Sequence, residues 1–448
     1  MKRALLALAL CASAVVAPMH CLAQGNPVET RLPNGLQLIV VPDKLAPVVT
    51  TVLTYHVGSN DDTKPGIAHA TEHMMFRSMS GLSAAQLGDL AARMGGDYNA
   101  ETTNEFTQFY FVAPRQYLPL ILHIEALRMN GAYIAPAEWA NERGAIEQEV
   151  RGRESNPYFA VGNELRQAML GGTPYATDAL GTVESFQRMT ADDIRAFYRT
   201  WYHPNNATLV ITGDVNAADV ARQVNAMFGA IPAAQLPAHP AIALPPLRPV
   251  TLERTMNVPA PSVALAFRYP SVTSPDFAAS LVLYIALENP RGPLTQLNLS
   301  GKVSGARFSL TQYLHAGFAD LSASVSPTGN GTQTEAALDT YLQSILRDGV
   351  SPEFIAIAKQ RLLTGRVSQL AAISGLAQLW ASAVNQGRTP QDVYDAIAQV
   401  TPADVDRVLR TYIRPAADVA VIIQAAAAQK NVATQAPPLT GERFFSET

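Results

Sequence analysis

The sequence predicts an α+β fold of two homologous domains, each a mixed, mainly antiparallel sheet covered by helices. Three observations carry that prediction. At 448 residues with 48% hydrophobic content, the chain exceeds what one core usually serves and has apolar residues enough for two. Residues 231–250, IPAAQLPAHPAIALPPLRPV, hold six prolines, which suppress helix and sheet alike and favour an extended tether. The flanks of that tether repeat each other: TADDIRAFYRTWYHPNNATLVITG from Thr190 and TPADVDRVLRTYIRPAADVAVIIQ from Thr401 share a capping threonine, an amphipathic helix, an Arg-Thr-aromatic end, a proline stop and a β run, at an offset of 211.

Lys2 and Arg3 precede an apolar run from Ala4 to Ala17, and Cys21-Leu22-Ala23 supplies small residues before Gln24, so residues 1–23 read as a cleaved signal peptide and the location as the periplasm. The run is short of the roughly 20 apolar residues a membrane span needs, and neither Cys11 nor Cys21 has the small residues before it that a lipid anchor would need. Both cysteines lie in this leader. The mature chain therefore has no disulfide or thiolate, and a metal would bind through His, Asp or Glu. Its 37 acidic residues outnumber the 33 basic ones, two of which leave with the leader, and there is no polybasic block; this argues against nucleic acid as a partner.

In the first domain, 24–230, GLQLIVVPD and VVTTVLTYHVGS alternate like a strand pair, helices follow around 66–77, 83–94, 116–130 and 137–154, TNEFTQFYFVA is a further strand and ATLVITGDV closes the sheet. Strand runs separated by clustered helices indicate α+β rather than a regular βαβ alternation. The second domain is expected over 251–430 and a loose tail over 431–448.

On the helix expected after Pro65-Gly66, His69 and His73 stand four apart, so their rings leave one face close enough to grip one ion, with the Glu72 carboxylate beside it. A hydrolytic zinc site takes three protein ligands and leaves a position for water, whose proton a neighbouring carboxylate removes. Glu72 suits that base. In NERGAIEQEVRGRE, Glu142 and Glu149 are seven apart on one helix face while Glu147 points elsewhere. Glu149 fits the third ligand, and Glu142 fits a partner for a histidine's outer nitrogen or, alternatively, a solvated helix charge. His56, His123, His203, His239 and His315 lack such spacing and read as surface or packing residues.

His69-Ala70-Thr71-Glu72-His73 is the inverted zinc motif H-x-x-E-H, and the chain resembles the pitrilysin, insulysin and mitochondrial processing peptidase family. Glu142-Arg143 followed by Glu149 fits that family's E-R-x5-E pattern, and GGDYNAETTNEFTQFYF, TPYATDALGT and FYRTWYHPNNATLVITGDV resemble other family segments. The resemblance implies a zinc-dependent endopeptidase, one Zn2+ per chain, acting on unfolded peptides in a closable chamber. It also implies an edge strand that pairs with the substrate backbone, which falls here on Asn99 and Ala100, followed by Glu101, whose charge is expected to favour basic side chains in the adjacent substrate position. The alternative for Asn99 is a turn after Gly95-Gly96.

The offset of 211 sends His69, Glu72 and His73 to Ser280, Leu283 and Tyr284, so the second copy has no metal triad. The family also uses an arginine and a tyrosine seven residues later to hold the substrate carbonyl. No such pair exists between residues 251 and 424; Asn298 with Gly305, or Ser300 with Arg307, stand in its place. Two functions follow: a zinc-bearing subunit completed by a homologous partner, or by a second copy of itself, or a weakly active scaffold subunit that retains zinc and binds peptides.

Overall fold

The computed structural model describes residues 25–325, 330–370 and 373–426; the expected leader at 1–23 and tail at 431–448 lie outside them. The first half runs β1 (Val28–Arg31), β2 (Gln37–Pro42), β3 (Val48–Tyr55), α1 (Ile67–Arg77), β4 (Ser78–Met79), β5 (Leu82–Ser83), α2 (Ala84–Met94), β6 (Asp97–Thr102), β7 (Thr107–Pro114), α3 (Leu118–Gly131), α4 (Pro136–Glu154), α5 (Pro157–Leu170), α6 (Val183–Arg188), α7 (Ala191–Trp201), β8 (Ala207–Gly213) and α8 (Ala217–Phe228). The second runs β9 (Val250–Met256), β10 (Ser262–Arg268), α9 (Phe277–Leu287), α10 (Pro293–Leu299), β11 (Val303–Gln312), β12 (Gly317–Val325), α11 (Gly331–Asp348), α12 (Pro352–Leu370), α13 (Ile373–Asn385), α14 (Pro390–Gln399), α15 (Pro402–Tyr412) and β13 (Val419–Ala425).

The sheets share one topology. The first has the order β1-β2-β8-β3-β7-β6 and the second β11-β12-β10-β13-β9. In each, the last strand of the unit enters beside an early one, β8 parallel to β2 and antiparallel to β3, β13 parallel to β9 and antiparallel to β10. Thr190 and Thr401 close matching capping boxes with Asp193 and Asp404 at the starts of α7 and α15. The chain is an α+β duplication with helices on both sheets.

One sequence expectation is corrected: β2 and β3 are not paired with each other. β8, whose seven residues are all buried, lies between them, because a strand apolar on both faces gains most from a central place. The strand expected from Thr103 starts at Thr107, since residues 103–106 form the turn of the β6–β7 hairpin, with Thr103 N–H donating to the Phe106 carbonyl.

The halves exchange helices. α13 of the second half lays Leu376, Ala377 and Ala381 on Ile39, Val41, Val52 and Val210 of the first sheet. α5 of the first half lays Val161, Met169 and Leu170 on Ala266, Phe318, Val419, Val421 and Ile423 of the second. Residues 231–249 have no regular secondary structure but lie along the first half. Asn205 exchanges two hydrogen bonds with Ala234, and His239 pairs with Asp61 at 2.8 Å while stacking on Trp201.

Candidate metal centre

α1 enters on a fixed path. Asp62 accepts from Gly66 N–H at 2.6 Å and Ala68 N–H at 3.0 Å, filling the orphan donors of its first turn. Gly66 has φ +82° and Gly181 φ +80°, and a Cβ on Gly181 would lie 2.6 Å from Gly66 Cα. Only glycine at both positions lets the 180–181 loop approach the helix so closely. At the other end, Arg128, fully buried with Glu125 and lying over Phe109, donates to the Met75 carbonyl at 3.2 Å. α4 packs Trp139, Ile146 and Val150 into the core that holds Ile67, Ala68, Met74 and Met75 of α1, and Trp139 donates to the Met189 carbonyl.

These two helices bring three donor groups together. His69 Nε2 and His73 Nε2 are 3.1 Å apart, and Glu149 Oε2 lies 3.5 Å from the first and 3.6 Å from the second. Among the described residues this is the one group of three His, Cys, Asp or Glu side chains whose ligand atoms all lie within 4.8 Å of one another. The outer nitrogens are committed elsewhere: His69 Nδ1 lies 3.1 Å from the Leu180 carbonyl and His73 Nδ1 2.9 Å from Glu142 Oε1. Both acceptors suit a proton on Nδ1, the tautomer in which each Nε2 faces the Glu149 carboxylate with a lone pair open to a cation. Two lone pairs and an anion repel unless a cation sits among them, and nitrogen and carboxylate donors of this number suit zinc.

The electrostatics agree. The His69 and His73 rings beside Glu149 hold its carboxyl well below the usual range. Burial lowers the basicity of His73, but Glu142, Glu149 and Glu72 outweigh it and push its pKa up to about 9. The pocket strongly favours positive charge.

Glu72, on the same helix, is 9% exposed, and Thr102 of β6 donates its hydroxyl to Oε2 at 2.6 Å. Among the described residues no donor reaches Oε1. Asn99, Ala100 and Glu101 belong to β6, the outermost strand of the first sheet, hydrogen-bonded to β7 on one side only. Asn99 is thus in extended backbone rather than a turn. Glu142 is 6% exposed, unlike a solvated surface charge. Ser280 and Leu283 of α9, the counterparts of His69 and Glu72, are fully buried, with Ser280 donating to Phe277 and Leu283 packed in the second core.

Sequence reasoning missed Thr102, Leu180 and Arg77, the last lying 2.6 Å from Glu142 Oε2. Thr102 had a signal, since it follows Ala100 by two on a strand and so shares its face. Leu180 acts through its backbone and had none.

A pair of helix histidines, one buried and one half-buried, with a glutamate from a neighbouring helix, on a duplicated α+β scaffold, is the make-up of a zinc metallopeptidase. The model of the insulinase family, peptidase family M16, matches residues 38–183, and that of the peptidase M16 inactive domain matches 188–362. The chain belongs to the M16, insulinase-like peptidase family. It is 33% identical to a zinc protease of Streptomyces coelicolor over 47% of this chain and 48% of that one, and 32% identical to the zinc protease PqqE of Helicobacter pylori over 42% and 44%. These matches span about half the length of each relative. A zinc protease of Mycobacterium tuberculosis matches at 26% over 86% of this chain and 90% of its own. The crystal structure of a protease from Helicobacter pylori superposes with a TM-score of 0.82 at 23% identity, covering 89% of this chain and 99% of that one. The periplasmic protease PqqL of Escherichia coli gives 0.75 at 22%, covering 90% of this chain and 48% of its own. Both curated relatives are named zinc proteases.

Proposed function

We propose that the chain is an exported zinc endopeptidase subunit in which His69, His73 and Glu149 hold Zn2+, Glu72 is the general base, and Glu142 orients His73. The convergence of three donor atoms on α1 and α4 carries this reading. Zinc, when bound there, supplies a Lewis acid that activates water and polarises a peptide carbonyl. Glu72 takes the water's proton at its unengaged oxygen and returns it to the leaving amine. Thr102 keeps the other oxygen fixed.

The free edge of β6 adds the substrate as a further strand, with Asn99, Ala100 and Glu101 beside the scissile bond. Main-chain pairing demands an unfolded peptide and little sequence, which suits hydrolysis in a closable chamber. We divide the chain into a zinc-binding domain at 24–230, a linker at 231–250 and a non-catalytic domain from 251. A homologous partner chain supplies the arginine and tyrosine that residues 251–424 lack. A cleaved leader delivers the protein to the periplasm, the compartment named for the Escherichia coli neighbour.

The missing pair favours a second reading, a scaffold subunit that holds zinc and peptide without cleaving. Metal analysis and a quenched-peptide assay on the wild type and Glu72→Gln, with and without a homologous partner chain, separate the two. Endopeptidase activity that vanishes in Glu72→Gln while zinc stays near one per chain supports the enzyme. Equal turnover by both proteins, or none under any pairing, rejects it.

A further inference from the structure

Glu142 uses both of its carboxylate oxygens. Oε1 meets His73 Nδ1 at 2.9 Å and Oε2 meets Arg77 Nε at 2.6 Å. Arg77 closes α1 one turn beyond His73, so both side chains leave the helix on one face and reach the same residue of α4. The Glu142 side chain is 7% exposed and that of Arg77 46%. A carboxylate so far from water needs a charged partner. When His73 Nε2 serves as a ligand, its Nδ1–H is a neutral donor, which leaves Arg77 as the one cation paired with Glu142 among the described residues.

We propose that Arg77 is a positioning residue for the zinc site, acting on His73 through Glu142; the inference rests on the metal-site reading above. The guanidinium fixes Oε2, Oε1 is thereby aimed at Nδ1, and the imidazole is locked with Nε2 toward His69 and Glu149. Partners of this kind change metal affinity by about 10- to 100-fold when removed directly, and an effect relayed through one more residue is smaller. The sign discriminates. As a bare positive charge near a cation, Arg77 would weaken zinc binding, so its removal would tighten it; as an anchor for Glu142, its removal loosens it.

The test is competition for Zn2+ against a chromophoric chelator, together with the visible spectrum of the Co2+-loaded protein, for the wild type, Arg77→Ala, Arg77→Lys, Glu142→Ala and the Arg77→Ala/Glu142→Ala double variant. Arg77→Ala is expected to weaken Zn2+ about three- to tenfold and to shift the Co2+ bands, with Arg77→Lys recovering part of the loss. In the Glu142→Ala background, Arg77→Ala is expected to add nothing. Unchanged or tighter zinc binding in Arg77→Ala, or the same further loss without Glu142, overturns the proposal. A wild type that binds neither metal, or binds both as well after His69→Ala, overturns the site itself.

Discussion

Thr102 donates its hydroxyl to Glu72 Oε2 across 2.6 Å, which ties the free edge strand of the first sheet to the helix that carries both histidines. In the proposed mechanism this bond holds the carboxylate of Glu72 in register with a peptide added to β6. A hydrogen bond to a charged group contributes about 1.5–3 kcal/mol, and part of that is realised in holding the carboxylate for proton transfer. Thr102→Val, similar in shape and without the donor, is expected to lower kcat about tenfold with KM and zinc content nearly unchanged. Steady-state kinetics and metal analysis on the same preparation check this; a rise confined to KM would assign Thr102 to substrate binding alone.

Glu101 leaves the strand on the face opposite Thr102. Burial of its carboxyl, and then the like charge of Glu72, raise its pKa, while a hydrogen bond from Gln108 works against them. A cationic substrate side chain would relieve that repulsion. Glu101→Gln is expected to reduce the preference for Lys-containing over Gln-containing peptides about fivefold, a charge-pair effect near 1 kcal/mol. Paired competition between two such peptides measures the ratio directly, and an unchanged ratio removes Glu101 from specificity.

How much of this was legible in the sequence depends on range. α1 and α4 were read to within a residue or so at each end, because Pro65-Gly66 and Pro136 mark their starts and the histidine and glutamate spacings need a helix to make sense. The duplication was legible because the α7–β8 and α15–β13 units repeat their caps and stops. What failed was non-local. The place of β8 between β2 and β3 is decided by a segment more than 150 residues downstream, and nothing in either alternating run announces it. The exchange of α5 and α13 was invisible for a like reason: an apolar helix face does not state which sheet it will cover.

His56 follows β3, with Nε2 3.0 Å from the Thr208 hydroxyl. Burial first, then the charges of His239 and Arg31, lower its pKa to about 4 from 6.5. The folded state thus resists a proton that the unfolded chain accepts, and stability present above pH 6.5 is lost as pH falls toward 4. The full shift is worth at most about 3 kcal/mol. Metal-free protein is expected to show a steeper fall in melting temperature between pH 7 and pH 4.5 than His56→Gln, followed by calorimetry. Parallel curves for the two proteins would place the acid sensitivity elsewhere.

The exchange of helices makes a claim about cooperativity. Leu376 and Ala377 of α13 are fully buried against Val52 and Val210, so the first sheet keeps one face dry only while a helix from the second half covers it. Leu170 of α5 does the same for the second sheet beside Val419 and Ile423. Neither half can unfold without uncovering the other. Deleting a buried leucine to alanine costs about 2–5 kcal/mol through lost transfer energy and the cavity left behind. If the halves melted independently, Leu376→Ala would lower a second-half transition alone, because the residue belongs to that half by sequence. The reciprocal packing predicts instead that Leu376→Ala and Leu170→Ala each lower a single shared transition. Calorimetry of the two variants, with limited proteolysis to show which half is cut first, distinguishes the cases; two separable peaks, with one shifted by each substitution, would show that the swapped helices do not couple the halves.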